Sequence, residues 1–145
     1  LYKKPDLTMI LNGALAGLVS ITAEPLTPTL VESTLIGAIG GLIVVFAVPI
    51  LDQLKIDDVV GAIPVHLFAG IWGTIAVVFT NDDANLGTQI LSIFVVGAFV
   101  IIASSAVWLV LKATLGLRVS EEAETAGLDV NELGMEAYPE FSKIS

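Results

Sequence analysis

The chain has 145 residues, of which 55% are hydrophobic and only 14% are charged, with a mean hydropathy of +0.90. Ordinary soluble domains carry roughly 25% charged residues, so this composition indicates a protein whose solvent is lipid. Fifteen acidic and six basic residues give a net charge of −9, and without a basic stripe the chain does not fit nucleic acid as a partner. The absence of cysteine excludes disulfides and thiolate metal sites.

Four apolar runs follow one another along the chain, each bounded by charged residues or prolines. They lie at about residues 7–23, 33–51, 59–79 and 86–115. A helix needs about 20 mainly apolar residues to cross a bilayer, and the fourth run, at about 45 Å, is long enough to tilt or to project into water. The sequence therefore predicts an all-α, polytopic membrane helix bundle with four transmembrane helices over residues 1–115 and a cytoplasmic tail over residues 116–145.

Residues 90–111 argue against the alternative of a soluble helical domain. They contain no charged residue, whereas uninterrupted apolar runs of about 10–14 residues are more usual in the buried helices of soluble proteins. The chain also starts at Leu1 without the pattern of a signal peptide. It is interpreted as a piece of a longer membrane protein.

The basic residues predict how the spans are oriented, because short cytoplasmic loops carry an excess of Lys and Arg. Those near the predicted spans all fall on one side of the membrane: Lys3, Lys4, Lys55, Lys112 and Arg118. The sequence therefore places both ends of the chain and the tail in the cytoplasm, and the loops at about 24–32 and 80–85 outside the cell membrane.

Small residues predict where the first two spans pack. Gly13 and Gly17 in the first span, and Gly37 and Gly41 in the second, lie at i and i+4, a spacing that lets helices approach closely in lipid. Asn12 is interpreted as a packing residue that hydrogen-bonds across helices.

His66 is the only histidine of the chain, and it falls in the cytoplasmic half of the third predicted span, near the membrane centre. An ionisable group at that depth is costly unless it faces the bundle or a water-filled path. In an α-helix it shares one face with four small residues: Ala62, Ala69, Gly70 and Gly73. A neutral imidazole accepts at one nitrogen and donates at the other, so this face is suited to pass a small polar solute or a proton.

The alternative for His66 is a packing role, in which the imidazole is buried and hydrogen-bonded to a polar side chain of another helix. Pro64 has no backbone N–H and is expected to free the carbonyl of Val60, which a neighbouring helix or water must then satisfy. No second histidine, cysteine or intramembrane carboxylate completes a metal site, and no nucleophile–base pair appears. The sequence therefore predicts neither a metal or other cofactor nor an enzyme.

Residues 57–73 read DDVVGAIPVHLFAGIWG. This stretch resembles the tenth helix of ammonium transporters of the Amt/Mep/Rh family, whose pattern is an acidic start, a Val-His pair, and glycines four and seven residues later. Residues 4–19 resemble the eighth helix, and residues 116–138 resemble the family's cytoplasmic tail. The resemblance covers essentially the whole chain and implies the C-terminal portion, about helices 8 to 11 plus the tail, of an eleven-helix fold.

The resemblance implies ammonium transport by the parent protein. His66 matches the second of two pore-lining histidines in a narrow hydrophobic pore through each subunit of a homotrimer, along which ammonia passes after ammonium is captured outside and deprotonated. The tail packs under the trimer's cytoplasmic face, and Gly127, Leu128 and Asp129 match its most recognisable turn. In bacterial members a PII signalling protein docks on that face and blocks the pore, so a PII protein is an expected partner besides membrane lipid.

The chain departs from the family in lacking roughly its first seven helices, and with them the first histidine and the outer ammonium site. The chain alone is therefore not expected to transport, because the missing N-terminal helices must complete the pore. The alternative function is a structural or regulatory membrane module, in which His66 only packs and the acidic tail recruits a cytoplasmic partner. For the tail itself, the alternative is a solvated acidic segment without fixed structure.

Overall fold

The computed structural model describes residues 4–139, and those residues form helices joined by short loops. The α-helices are, in chain order, α1 (Leu7–Ile21), α2 (Leu30–Gln53), α3 (Ala69–Ala76), α4 (Leu86–Thr114), α5 (Glu121–Ala126) and α6 (Leu128–Leu133). A π-helix at Ile63–Phe68 leads directly into α3, and a 3₁₀ turn at Val77–Phe79 follows it, so Ile63–Phe79 is one apolar helical segment. The chain divides within α4 into two compact units, residues 1–98 and 99–145. The all-α prediction is confirmed.

Two helices are long and apolar enough to cross a membrane, α2 with 24 residues and α4 with 29. α2 begins at Leu30 rather than near Ser33, because Thr29 and Glu32 form a capping box that supplies partners for the first backbone N–H groups. The other two apolar segments are shorter: α1 has 15 residues, and the third segment begins at Ile63 rather than near residue 59.

The buried face of α1 consists of small or polar residues at intervals of four: Asn12, Ala16 and Ser20. Ala16 packs in a core with Val44 of α2, Val65 of the π-helix and Ala69 of α3. At the next residue of α1, a Cβ built on Gly17 would lie 3.4 Å from the carbonyl oxygen of Gly37. The backbones of α1 and α2 thus approach through facing glycines, as the glycine spacing predicts.

Ser20 lies where α1, α2 and α3 meet, and its side chain is 2% exposed. Its hydroxyl donates to the carbonyl of Ala16 at 2.7 Å and lies 3.4 Å from the carbonyl oxygen of Ala69. A Cβ at Gly40 would collide with the Ser20 hydroxyl, and a Cβ at Gly73 would lie 2.9 Å from the Ser20 Cα. Only glycine at both positions lets the three helices come this close.

Two further contacts lie within residues 1–98. The indole N–H of Trp72 donates to the carbonyl of Ile36 in α2 at 3.0 Å. The side-chain amide of Asn81 donates to the carboxylate of Glu24 at 3.2 Å. The loop that follows α1 and the loop that follows the third apolar segment therefore lie at the same end of the helices.

None of the residues of α4 is buried in the structure. Its exposed side chains include large apolar ones, such as Phe94, Phe99, Ile102 and Trp108. A helix that is apolar on all sides is suited to lipid or to the interior of a larger helix bundle, and not to water.

In the tail, the described residues form two short helices rather than a featureless acidic segment. The Ser120 hydroxyl accepts from the backbone N–H of Ala123 and so caps α5. Gly127, with φ 101°, separates α5 from α6. Arg118 pairs with Glu124 at 3.1 Å, but both side chains are more than half exposed, so this ion pair contributes little stability.

The substitution Gly73→Ala tests the three-helix contact. We expect it to lower the thermal unfolding midpoint of the chain in detergent, because a Cβ at position 73 has no space beside Ser20 and such overpacking costs about 1–3 kcal/mol. Circular dichroism during heating measures this effect. Gly13→Ala is the matched control on α1, where a Cβ meets nothing within 4 Å; an equal loss in both variants would contradict the proposed crowding.

Candidate functional site

The helix that carries His66 starts at a turn closed by Asp58. The Asp58 carboxylate accepts from the backbone N–H of Ala62 at 2.9 Å and from that of Ile63 at 2.7 Å. The N–H of Val65 donates to the carbonyl of Gly61 at 3.2 Å. Because the first N–H groups of a helix have no partner within the helix, and a negative charge is favoured at its N-terminus, Asp58 stabilises the start of this segment.

Pro64 does not interrupt the helical segment, which begins at Ile63 rather than near residue 59. It lies in the first turn, where the missing N–H would have had no helical partner and the fixed φ of proline suits the conformation. The carbonyl of Val60 is nevertheless satisfied by a neighbouring helix, because the side-chain amide of Asn12 donates to it at 3.0 Å.

His66 itself lies in the π-helix Ile63–Phe68. A π-helix closes its hydrogen bonds between residues i and i+5, is rare, and occurs frequently at functional sites. The residue pattern predicts a regular α-helix here, and nothing in it indicates the π-helix. Each hydrogen-bonded ring of a π-helix contains one residue more than the ring of an α-helix. Residues before and after the π-helix therefore do not share the faces that the α-helical repeat predicts.

Accordingly, the residues predicted to share one helix face with His66 differ in burial. Ala69 and Gly73 are buried against α1, whereas Gly70 is partly buried near Val19. Ala62 and His66 are exposed. The five residues therefore do not form one continuous surface in this chain, and their roles in a pore stay predictions.

Within residues 4–139, the imidazole of His66 makes no hydrogen bond or ion pair. The same described residues hold no group of three or more histidine, aspartate or glutamate side chains placed to bind a metal ion. An open apolar groove lies along α2 and reaches the π-helix at Phe68, with Leu42, Phe46 and Ile50 among its other lining residues. His66 is thus a polar side chain, without a hydrogen-bond partner among the described residues, on an otherwise apolar segment.

The predicted tail residues Gly127, Leu128 and Asp129 form a turn that Asp129 closes. The Asp129 carboxylate accepts from the backbone N–H of Ala137 at 2.8 Å and from that of Val130 at 2.9 Å. These two hydrogen bonds, that of Ala137 first, hold the pKa of Asp129 below its ordinary value. Gly127 has positive φ, and a Cβ there would lie 2.7 Å from the Asp129 carboxylate. The Asp129 carboxylate thus occupies space that only glycine at position 127 leaves open. The Leu128 side chain is 43% exposed.

Removing the carboxylate at the start of the His66 helix should destabilise the chain. We expect Asp58→Ala to cost about 0.5–2 kcal/mol, as for other lost helix caps, and to lower the thermal unfolding midpoint in detergent. Asp57→Ala is the matched control, because Asp57 is the exposed neighbour of Asp58 and forms no hydrogen bond in the described chain. If the two variants unfold at the same temperature, Asp58 does not cap the helix.

The turn at Asp129 should open when its carboxylate is removed. In Asp129→Ala, no side-chain oxygen remains to accept from Ala137, so we expect the Ala137 amide to exchange hydrogen as fast as an exposed amide. Hydrogen exchange of the purified protein, read by mass spectrometry, measures this; Glu132→Gln, also in α6, is the control and should leave that amide protected.

The same turn should be sensitive to acid in one pH range. Because the pKa of Asp129 is lowered on folding, its hydrogen bonds stabilise the turn fully above the ordinary value of 3.8 and lose that contribution as the pH falls below it. Protection at Ala137, corrected for the intrinsic exchange rate, should therefore be constant between pH 5 and 8 and fall only in stronger acid. A loss near neutral pH would contradict this assignment.

Comparison with known proteins shows the family of the chain. The chain matches the Ammonium Transporter Family over residues 1–138. It is 39% identical to the ammonium transporter Amt2 of Archaeoglobus fulgidus, over 95% of this chain and 34% of that protein. It is 41% identical to the ammonium transporter Amt1 of Haloferax mediterranei, over 95% of this chain and 28% of that protein. The chain thus spans about a third of the length of the curated relatives it matches. It belongs to the ammonium transporter family, whose members are membrane transporters and not enzymes.

Proposed function

We propose that the complete transporter that contains this chain moves ammonium across the cell membrane, and that His66 lies in the conduction path. The observation that carries the proposal is the position of His66, an ionisable side chain within the apolar helical segment Ile63–Phe79. In an apolar segment, an unpartnered imidazole is costly unless it faces a polar path.

The chemistry of an apolar path favours ammonia over its ion. Moving an isolated ammonium ion out of water into an apolar medium costs far more than moving a neutral molecule. A neutral imidazole can accept a hydrogen bond at one nitrogen and donate at the other, and so can guide ammonia or relay a proton. The relatives named above are called ammonium transporters, which supports ammonium as the substrate here.

The proposed topology has four membrane-crossing segments, with both ends of the chain in the cytoplasm. The hydrogen bond between Glu24 and Asn81 supports it, because it joins the two loops that the basic residues predict to lie outside. α1, at about 22 Å, is shorter than the roughly 30 Å of hydrocarbon, and we infer that its flanking residues or local thinning of the bilayer make up the difference.

The surfaces left open in this chain are proposed contacts of the complete protein. Lipid and the N-terminal part of the transporter would cover α4 and the apolar groove beside Phe68. We further propose assembly as a homotrimer, with the tail beneath it as a regulatory segment and a PII protein as its partner. The exposed apolar side chains of Leu128, Leu133 and Met135 support docking of the tail on another surface.

Transport by the complete protein carrying His66→Ala tests the proposal. We expect methylammonium uptake per molecule to fall about fivefold or more, because losing one hydrogen-bond partner for a desolvated solute costs about 1–3 kcal/mol and each 1.4 kcal/mol corresponds to about tenfold in rate. Uptake is measured in cells that lack their own ammonium transporters, and the amount of protein in the membrane is measured in parallel.

Thr74→Ala provides the matched control in the same helical segment. The Thr74 hydroxyl bonds only to the carbonyl of Gly70, one turn earlier, so its loss should leave uptake nearly unchanged. Unchanged uptake in His66→Ala at normal protein level would remove His66 from the conduction path and favour the structural module.

A further inference from the structure

We propose that Asn12 is a positioning residue for His66, because its amide holds the turn from which the π-helix starts. The inference rests on the proposed function of His66 and extends it to a residue on another helix. Asn12 belongs to α1 and is 7% exposed. Its sequence position suggests only packing, whereas its contacts indicate a more specific role.

The amide of Asn12 connects α1 to the residue pair Val60 and Gly61. Its nitrogen donates to the carbonyl of Val60 at 3.0 Å. A buried amide that loses such a partner costs about 1–3 kcal/mol, so this bond favours one placement of the turn against α1.

Gly61 fits around the same amide. It has φ 75°, and a Cβ built there would lie 2.5 Å from the Asn12 nitrogen. Glycine is therefore needed at position 61 for two reasons: the left-handed backbone and the space that Asn12 occupies. Asn12 and Gly61 are complementary in shape as well as in hydrogen bonding.

A short chain of contacts leads from this turn to His66. The carbonyl of Gly61 accepts from the N–H of Val65, the residue immediately before His66. Val65 is 2% exposed and packs with Ala16 of α1 and Val44 of α2. A shift of the peptide between Val60 and Gly61 therefore acts on the first turn of the π-helix.

Asn12 differs from Asp58 in what it connects. The Asp58 carboxylate bonds to its own helical segment, whereas Asn12 bonds from α1. About two helical turns along α1, Ser20 contacts Ala69 and Gly73 of the same segment. Contacts at two separate points determine both the position and the tilt of the segment, and Asn12 supplies the one nearer to His66.

The test compares Asn12→Leu with Thr74→Ala in the complete transporter. Leucine has nearly the shape of asparagine but no N–H, so this variant removes the hydrogen bond and keeps most of the packing. Three quantities are measured: protein in the membrane, methylammonium uptake per molecule, and the ratio of methylammonium to potassium flux. Potassium is an ion of similar size that cannot lose a proton, so the ratio reports on the conduction path.

We expect Asn12→Leu to reduce uptake per molecule about three- to tenfold and to change the flux ratio, since a displacement of about 1 Å at a functional group has effects of this order or larger. Thr74→Ala, which removes a hydroxyl bonded within its own helical segment, should leave all three quantities nearly unchanged. Gly61→Ala should reproduce the effect of Asn12→Leu. The double variant should lose less than the product of the two single losses, because both disrupt one contact.

Hydrogen exchange at the Val65 amide tests the inference independently of transport. In Asn12→Leu, that amide should exchange at least about tenfold faster than in the unchanged protein, and in Thr74→Ala it should not. Normal exchange together with normal uptake per molecule in Asn12→Leu would overturn the inference, even if His66→Ala abolishes transport. If His66→Ala leaves transport unchanged, the proposed function fails, and the exchange rate alone decides whether Asn12 holds the turn.

Discussion

The close approach of three helices around Ser20 is the contact on which the rest of the bundle depends. In lipid there is no hydrophobic force between helices, so they associate through packing and interhelical hydrogen bonds at small residues. Gly40 and Gly73 leave space for Ser20, and its hydroxyl bonds within α1 while approaching α3. This contact brings α3, and with it the π-helix, against α1.

From that contact the geometry of the candidate site follows in steps. The segment Ile63–Phe79 is held around its middle by Ser20 and at its start by Asn12, and Asp58 supplies partners for its first N–H groups. All of these contacts involve the backbone of the segment. The side chain of His66 makes none of these contacts, so contacts of the backbone alone position it.

The candidate site was only partly predictable from its residues. The position of His66 within an apolar run and the acidic start of that run were visible, because both are local. The shared face with Ala69 and Gly73 was drawn from the α-helical repeat, and the π-helix changes that repeat. Nor could the residues show that Pro64 belongs to the first turn, since this depends on the positive φ of Gly61.

By itself, the sequence determined the all-α class, the membrane as solvent, the family, and the turn-forming tail residues, because these depend on composition, on the length of apolar runs and on short motifs. The tertiary structure decided which small residues pack and which stay open, and it paired Asn12 with Val60, far apart along the chain. These contacts form only where three helices pack closely and a side chain of one helix reaches a backbone carbonyl of another. No local pattern of residues specifies them.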